Sequence, residues 1–130
     1  MAGEAVLDAS AVIALIKGEP GGDVVADLVE GARITAVNLS EVVAHFIREG
    51  GTQSSIKPIV DALKMTIVGA EEDLAYAAAA MREATRPIGL SLGDRFCLAL
   101  AIRTGGVALT SDRMWARAEE LTGARVQLIR

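Results

Sequence analysis

The chain has one cysteine, few aromatic residues and no long apolar run. Because Cys97 is the only cysteine, no internal disulfide can form. Phe, Trp and Tyr make up only 3% of the 130 residues, so the core must be built from Ala, Val, Leu and Ile. No apolar run reaches the roughly 18 residues that a membrane-spanning helix needs. The N-terminus has no secretory signal, so we expect a cytoplasmic protein with no membrane segment.

The chain also has fewer basic residues than acidic ones. The 13 Lys and Arg residues against 17 Asp and Glu give a net charge of −4 at pH 7. This balance argues against a broad basic surface for nucleic acid, although a local basic rim around an acidic site would not show in a net count. With 52% hydrophobic residues, a chain of this length can bury a substantial core, and we expect a single domain over residues 1–130.

Short β-type runs alternate with longer segments of helical periodicity. The candidate strands are 4-EAVLD-8, 33-RITAV-37, 65-MTIV-68, 106-GVALT-110 and 125-RVQLI-129. Apolar residues recur at helical spacing over 39–47, 56–63, 74–81 and 115–121. Residues 9–16 and 96–102 are apolar on all sides, which predicts helices packed between the sheet and another layer, with Cys97 as a small buried hydrophobe. The alternation predicts an α/β fold with a parallel sheet.

Acidic residues stand near the ends of three predicted strands. Asp8 ends the first strand, Glu41 follows the second by four residues, and Asp112 follows the fourth by two. Ligands of an open parallel sheet bind at the carboxyl ends of its strands, so we expect these three side chains on one rim. Asp94 opens the apolar helix that precedes the fourth strand, and its position alone does not place it there.

Each of these acids also has an ordinary structural explanation. The segments 38-NLSE-41 and 91-SLGD-94 have the spacing of a capping box, in which an acid satisfies free amides at a helix start. Asp112 fits the first turn of the last helix, and Glu41 falls on the polar side of its helix. Asp8 is harder to explain, because an unpaired carboxylate buried at the end of an apolar strand costs several kcal/mol.

A cluster of acids without nearby basic partners needs a cation. Mg²⁺ prefers oxygen ligands, and a site of this kind activates water and stabilises charge on a phosphoryl group. The residues alone leave phosphodiester hydrolysis and a set of helix caps equally open. A dinucleotide-binding module is disfavoured, because "DASAV" after the first strand has no glycine. The only histidine, His45, is interpreted as incidental.

Four segments resemble the successive sequence blocks of PIN-domain ribonucleases, and most closely the VapC-type toxins of type II toxin–antitoxin pairs. They are "VLDASAVIALIKGEPG", "AVNLSEVVAHF", "LSLGDRFCLALA" and "LTSDRMW". The resemblance covers essentially the whole chain, in order. It implies a three-layer α/β/α domain with a five-stranded parallel sheet in the order 3-2-1-4-5. It also implies an acidic quartet that holds Mg²⁺ or Mn²⁺, made of Asp8, Glu41, Asp94 and Asp112, with Ser10, Asn38, Thr110 and Ser111 as supporting polar residues.

The same resemblance implies a metal-dependent endoribonuclease neutralised by a cognate VapB-like antitoxin. RNA would be the substrate, and the toxin would form a homodimer and a hetero-oligomer with its antitoxin. Arg86, Arg95 and Arg113 lie close to the four blocks and are candidates to guide the RNA backbone, although each also fits a surface arginine. A catalytically silent PIN-like module that binds RNA or protein stays open as the alternative.

Overall fold

Five strands and eight α-helices are found in the computed structural model, which describes residues 4–130. The strands are β1 (Ala5–Leu7), β2 (Arg33–Thr35), β3 (Thr66–Val68), β4 (Val107–Thr110) and β5 (Arg125–Leu128). The helices are α1 (Ala9–Lys17), α2 (Gly22–Ala26), α3 (Ala36–Arg48), α4 (Gln53–Ala62), α5 (Glu72–Ala80), α6 (Arg82–Thr85), α7 (Leu92–Thr104) and α8 (Ala118–Thr122). Residues Arg86–Ile88 and Arg113–Arg117 form 3-10 turns. The first three residues of the predicted 1–130 domain lie outside the described range.

The sheet has the predicted topology. Its strand order is β3-β2-β1-β4-β5, and every neighbouring pair is parallel. β1 and β4 pair in the centre, with Leu7 opposite Leu109, and the backbone N–H of Asp8 extends the pairing to the carbonyl of Leu109 at 3.1 Å. The ends of β1 and β4 therefore lie side by side, which brings the residues that follow these strands together.

Side chains of the central strands alternate between two buried clusters. Val6 packs into a cluster with Leu98 and Trp115, whereas Leu7 packs into a second cluster with Val12. Because neighbouring residues of a strand point to opposite faces, each face of the sheet has its own apolar core, and the domain has three layers. No helix within residues 4–130 has the length and apolar character needed to cross a membrane.

Helix α7 supplies much of the first cluster, and the predicted burial on all sides is confirmed for residues 96–101, whereas Ile102 is 46% exposed. All residues from Phe96 to Ala101 are buried, and Cys97 is wholly inaccessible. Burial raises the pKa of the Cys97 thiol well above its ordinary value, since a thiolate would lose its hydration there. Cys97 is therefore a small hydrophobe of the core, as expected.

The start of α3 differs from the prediction. The second strand ends at Thr35, and the helix begins at Ala36 instead of near residue 38. The Thr35 hydroxyl accepts the backbone N–H of Asn38 at 3.0 Å and so caps the helix. The proposed capping box in 38-NLSE-41 is therefore wrong, because Asn38 already lies inside the first turn.

Two segments rich in Gly and Pro contain regular structure. Residues 18–22 lead directly into α2, and residues 86–91 contain the 3-10 turn Arg86–Ile88. The last predicted helix, 115–121, is a 3-10 turn followed by α8. Asp112 caps this turn by accepting the N–H of Met114 at 2.9 Å, only two residues away, which starts the chain on a tight 3-10 path.

Candidate metal centre

The four predicted acids line one cavity. Asp8, Glu41, Asp94 and Asp112 surround a space of about 440 Å³ where β1 and β4 end and where α1 and α7 begin. The position of Asp94 in the sequence did not place it at this rim. The fold brings it there. Asp94 contributes to this rim from the first turn of α7.

Asp8 is the buried member of the group, with 4% of its surface exposed. One carboxylate oxygen, Oδ1, accepts the Ser10 hydroxyl at 2.7 Å and the N–H of Ala11 at 2.9 Å, so that Asp8 caps α1. The other oxygen, Oδ2, accepts the Thr110 hydroxyl at 2.5 Å. Burial raises the pKa of Asp8 to about 6, in spite of these hydrogen bonds, and the charge of Asp94 adds a smaller increase.

Asp94 both caps a helix and faces the cavity. Its Oδ2 accepts the backbone N–H of Ser91 at 2.9 Å, and its own N–H donates to the Ser91 hydroxyl at 3.2 Å. The predicted capping box in 91-SLGD-94 is therefore confirmed. Burial is the main cause that raises the pKa of Asp94, and the charge of Asp112 also raises it, against the hydrogen bonds from Ser91.

A buried asparagine holds Glu41 in place. The Asn38 amide donates to Glu41 Oε1 at 2.9 Å and to the carbonyl of Gly93 at 3.1 Å, while its oxygen accepts the Thr35 hydroxyl at 2.6 Å. Gly93 leaves the space that the Glu41 carboxylate fills, because a Cβ at residue 93 would overlap with it. Partial burial raises the pKa of Glu41, although its side chain remains on the surface. Asn38 thus connects α3 to α7.

Asp112, like Glu41, is an exposed acid of the cavity. Its N–H donates to the Thr110 hydroxyl at 3.0 Å, and the N–H of Ser111 donates to the Ser10 hydroxyl at 2.9 Å. Ser10 and Thr110 are themselves 3.3 Å apart. The predicted supporting residues Ser10 and Thr110 therefore tie the loop after β4 to Asp8, whereas Ser111 contributes its backbone.

The carboxylate oxygens of the four acids are suitable ligands for a hard divalent cation. Carboxylate oxygens are the ligands that Mg²⁺ prefers, and a bound cation would offset the burial and the mutual repulsion that raise these pKa values. Within residues 4–130, however, no group of three or more His, Cys, Asp or Glu side chains is arranged so that it could hold a metal ion by itself. Mg²⁺ usually takes one or two carboxylates and keeps several waters, so an open cavity of acids suits it.

Two basic residues belong to the same cavity and were missed as site residues. His45 and Arg48 line it together with the acids. His45 lies within 3.5 Å of Lys17 Nζ and of Glu49 Oε2, at the edge of the cavity. Helical spacing is the sequence signal that could have identified them, since residues 41, 45 and 48 share one face of a helix. Arg113, by contrast, is exposed and is not among the residues around the cavity.

A family model described as the PIN domain matches residues 5–121. The chain is a member of the PIN domain family. None of the curated proteins matches it. The residues matched by the PIN model run from the start of β1 to Leu121 in α8 and include all four acids of the cavity.

Solved structures share the fold of this PIN domain at low sequence identity. A toxin–antitoxin complex from Klebsiella pneumoniae has a TM-score of 0.75 at 18% identity, over 97% of this chain and 98% of that chain. DNA-bound VapBC from Salmonella typhimurium has a TM-score of 0.72 at 15% identity, over 98% of both chains. FitAcB from Neisseria gonorrhoeae has a TM-score of 0.63 at 20% identity, over 96% of this chain and 97% of that chain. The expected three-layer fold is thus confirmed.

Proposed function

We propose that this PIN domain is a metal-dependent endoribonuclease of the VapC toxin type. The observation that carries the proposal is Asp8, a carboxylate with 4% of its surface exposed that opens on a cavity shared with three further acids. A helix cap alone does not need such an arrangement, because a single exposed Asp or Ser caps a helix without any desolvation cost. The similarity to structures described as toxin–antitoxin complexes supports the toxin type.

Asp8, Asp94 and Asp112 are the residues that would chiefly hold Mg²⁺ or Mn²⁺, with Glu41 completing the set. A cation bound there supplies activation of water and neutralisation of charge on the phosphodiester. The protein contributes the positions of the ligands: the hydroxyls of Ser10 and Thr110 orient Asp8, and the Ser91 N–H orients Asp94.

Glu41 is suited to accept a proton from the attacking water. Its raised pKa makes the carboxylate a stronger base than an ordinary glutamate, which favours general-base catalysis. Asn38 fixes one of its oxygens at 2.9 Å, and Oε2 accepts no hydrogen bond among the described residues. The amides at the starts of α1 and α7 add partial positive charge beside the phosphate.

A protein partner is the second part of the proposal. We propose that a VapB-like antitoxin covers the cavity and that the toxin, one domain over residues 1–130 in the cytoplasm, forms a homodimer within a toxin–antitoxin hetero-oligomer. The acidic cavity suits a basic side chain of such a partner. An apolar groove of about 530 Å³ between α3 and α4, in which Ile47 is 48% exposed and Ile67 is 50% exposed, supports a protein interaction on this face.

Cleavage of RNA by the purified protein tests the nuclease function. We expect hydrolysis with Mg²⁺ that stops with a chelator and that falls by roughly 100-fold or more in Asp8→Asn and Asp94→Asn, because each change removes charge that the reaction needs. Asp23→Asn is the matched control, since it removes the same charge from an exposed site on α2. Activity that survives both cavity changes would refute the site. RNA binding without any cleavage would favour the silent binding module instead.

A further inference from the structure

A second cavity lies beside the acidic one. It encloses about 390 Å³ between α6, the 3-10 turn and the start of α7. The lining residues are Arg82, Thr85, Arg86, Gly89, Leu90, Ser91, Leu92 and Arg95. We call it the arginine pocket, because three of its eight lining residues are arginines and none is acidic.

The charge of this pocket is poorly compensated within the protein. Arg86 contacts Glu83 at 3.5 Å, but both side chains are more than two thirds exposed, so water screens the pair. The Arg82 side chain has no hydrogen-bond or ion-pair partner among residues 4–130. Arg95 donates from Nη1 to the carbonyl of Ala78 at 3.2 Å, and its buried Nε has no acceptor. Guanidinium groups stay charged at all physiological pH values, and the charge of Arg95 is partly offset by the neighbouring Asp94 carboxylate. An anion bound in the pocket would offset the remaining charge.

The arginine pocket adjoins the acidic cavity through two consecutive residues. Asp94 lines the acidic cavity, and Arg95 lines the arginine pocket. Ser91 lines the arginine pocket as well, while its backbone N–H holds the Asp94 carboxylate at 2.9 Å. The arginine pocket and the acidic cavity therefore meet at the first turn of α7.

We propose that the arginine pocket binds a phosphate of the RNA strand next to the one cleaved at the acidic cavity. This inference rests on the proposed ribonuclease function. Guanidinium groups bind phosphate oxygens through paired hydrogen bonds, and a pocket without acids admits the anion. The lining has no aromatic residue, so the pocket offers no platform for base stacking. It adds affinity through charge and carries no base preference.

The salt dependence of RNA binding tests the proposal. The probe is a fluorescently labelled, single-stranded RNA of mixed sequence, bound to protein that carries Asp8→Asn to prevent cleavage. The double change Arg82→Gln with Arg86→Gln is compared with Arg125→Gln, which removes an exposed arginine at the start of β5, at the amino ends of the parallel strands and away from the acidic cavity. We expect the pocket variant to lower the slope of log K against log salt by about 0.7 for each phosphate that the protein no longer neutralises. The Arg125 control keeps the original slope.

Conservative substitutions distinguish the effect of lost charge from an effect of the substitution on the fold. Arg82→Lys with Arg86→Lys keeps both charges and should restore most of the salt slope. In protein with Asp8 intact, the Gln variant should raise KM for RNA cleavage and leave kcat nearly unchanged, because the pocket binds ground state and transition state alike.

Three results would overturn the proposal. An unchanged salt slope in the Gln variant, with RNA still bound and cleaved, would refute the pocket and leave the nuclease function intact. Weaker binding of an antitoxin with unchanged binding of RNA would assign the arginines to an acidic protein segment. Protein that binds no RNA at all would refute the pocket together with the proposed function.

Discussion

Replacing Asp8 with asparagine should make the metal-free protein more stable at high pH. Burial raises the pKa of Asp8 from its ordinary 3.8 to about 6, so the folded protein holds this proton more tightly than the unfolded chain does. As pH rises from about 4 to 6, the unfolded chain releases the proton first, and the free energy of unfolding falls. The full loss is present above pH 6 and absent below pH 4.

The size of this effect follows from the shift in pKa. A difference of about 2 pH units corresponds to about 3 kcal/mol of stability lost when Asp8 ionises. Asparagine removes that loss and still accepts the Ser10 hydroxyl and the Ala11 N–H on its oxygen. Its amide faces the Thr110 hydroxyl, which must turn from donor to acceptor, as it must for the protonated Asp8 of the wild type at pH 4. We therefore expect Asp8→Asn to leave the stability nearly unchanged at pH 4 and to stabilise the protein by about 3 kcal/mol at pH 8.

Urea unfolding of both proteins at pH 4 and pH 8 in a chelator measures the effect. At each pH, the free energy of unfolding of the wild type is subtracted from that of the variant. The decisive quantity is how much this difference changes between pH 4 and pH 8, because the contributions of groups unaffected by the substitution cancel. Mg²⁺ should then stabilise the wild type more than the variant, since only the wild type keeps the carboxylate. An equal difference at both pH values would refute the argument that Asp8 carries a burial cost in the folded protein.

The remaining predictions concern α7. Asp94→Asn should weaken Mg²⁺ binding, measured by calorimetry, and leave the free energy of unfolding within about 1 kcal/mol, because the amide oxygen still accepts the Ser91 N–H. A larger loss of stability with unchanged Mg²⁺ binding would show that Asp94 acts only as a helix cap. Gly93→Ala should lower the rate of RNA cleavage at least about tenfold, because the new methyl group displaces the Glu41 carboxylate, and it should add little to Glu41→Gln in a double-mutant cycle. Equal additional losses in the two backgrounds would show that Gly93 acts independently of Glu41.

The capping pattern of Ser91 and Asp94 shows what local sequence could establish. The box depends on two residues three positions apart, and its hydrogen bonds form as the spacing predicts. The same pattern failed at residues 38–41. There the Thr35 hydroxyl caps the helix first, and Asn38 turns inward to bind Glu41 and Gly93. The partner at Gly93 is 55 residues away, so no local rule reveals it.

His45 and Arg95 show a second limit. Helical spacing places His45 on the face of Glu41, yet only the packing of α3 shows that this face borders the acidic cavity. Arg95 follows Asp94 directly, and the sequence cannot tell which neighbour of a consecutive pair faces which cavity. The fold separates them, with Asp94 beside the acids and Arg95 beside two other arginines.

By itself, the sequence determined the alternation of strands and helices, the apolar α7 and the acids at the strand ends, because these depend on periodicity and on neighbours along the chain. The resemblance of four segments to PIN-domain proteins supplied the strand order. Only the tertiary structure decided which acids share a cavity, how deeply Asp8 is buried and which arginines share a pocket. These properties arise from contacts between residues such as Asp8 and Thr110, which are 102 positions apart, and the pKa of a carboxyl depends on that surrounding packing.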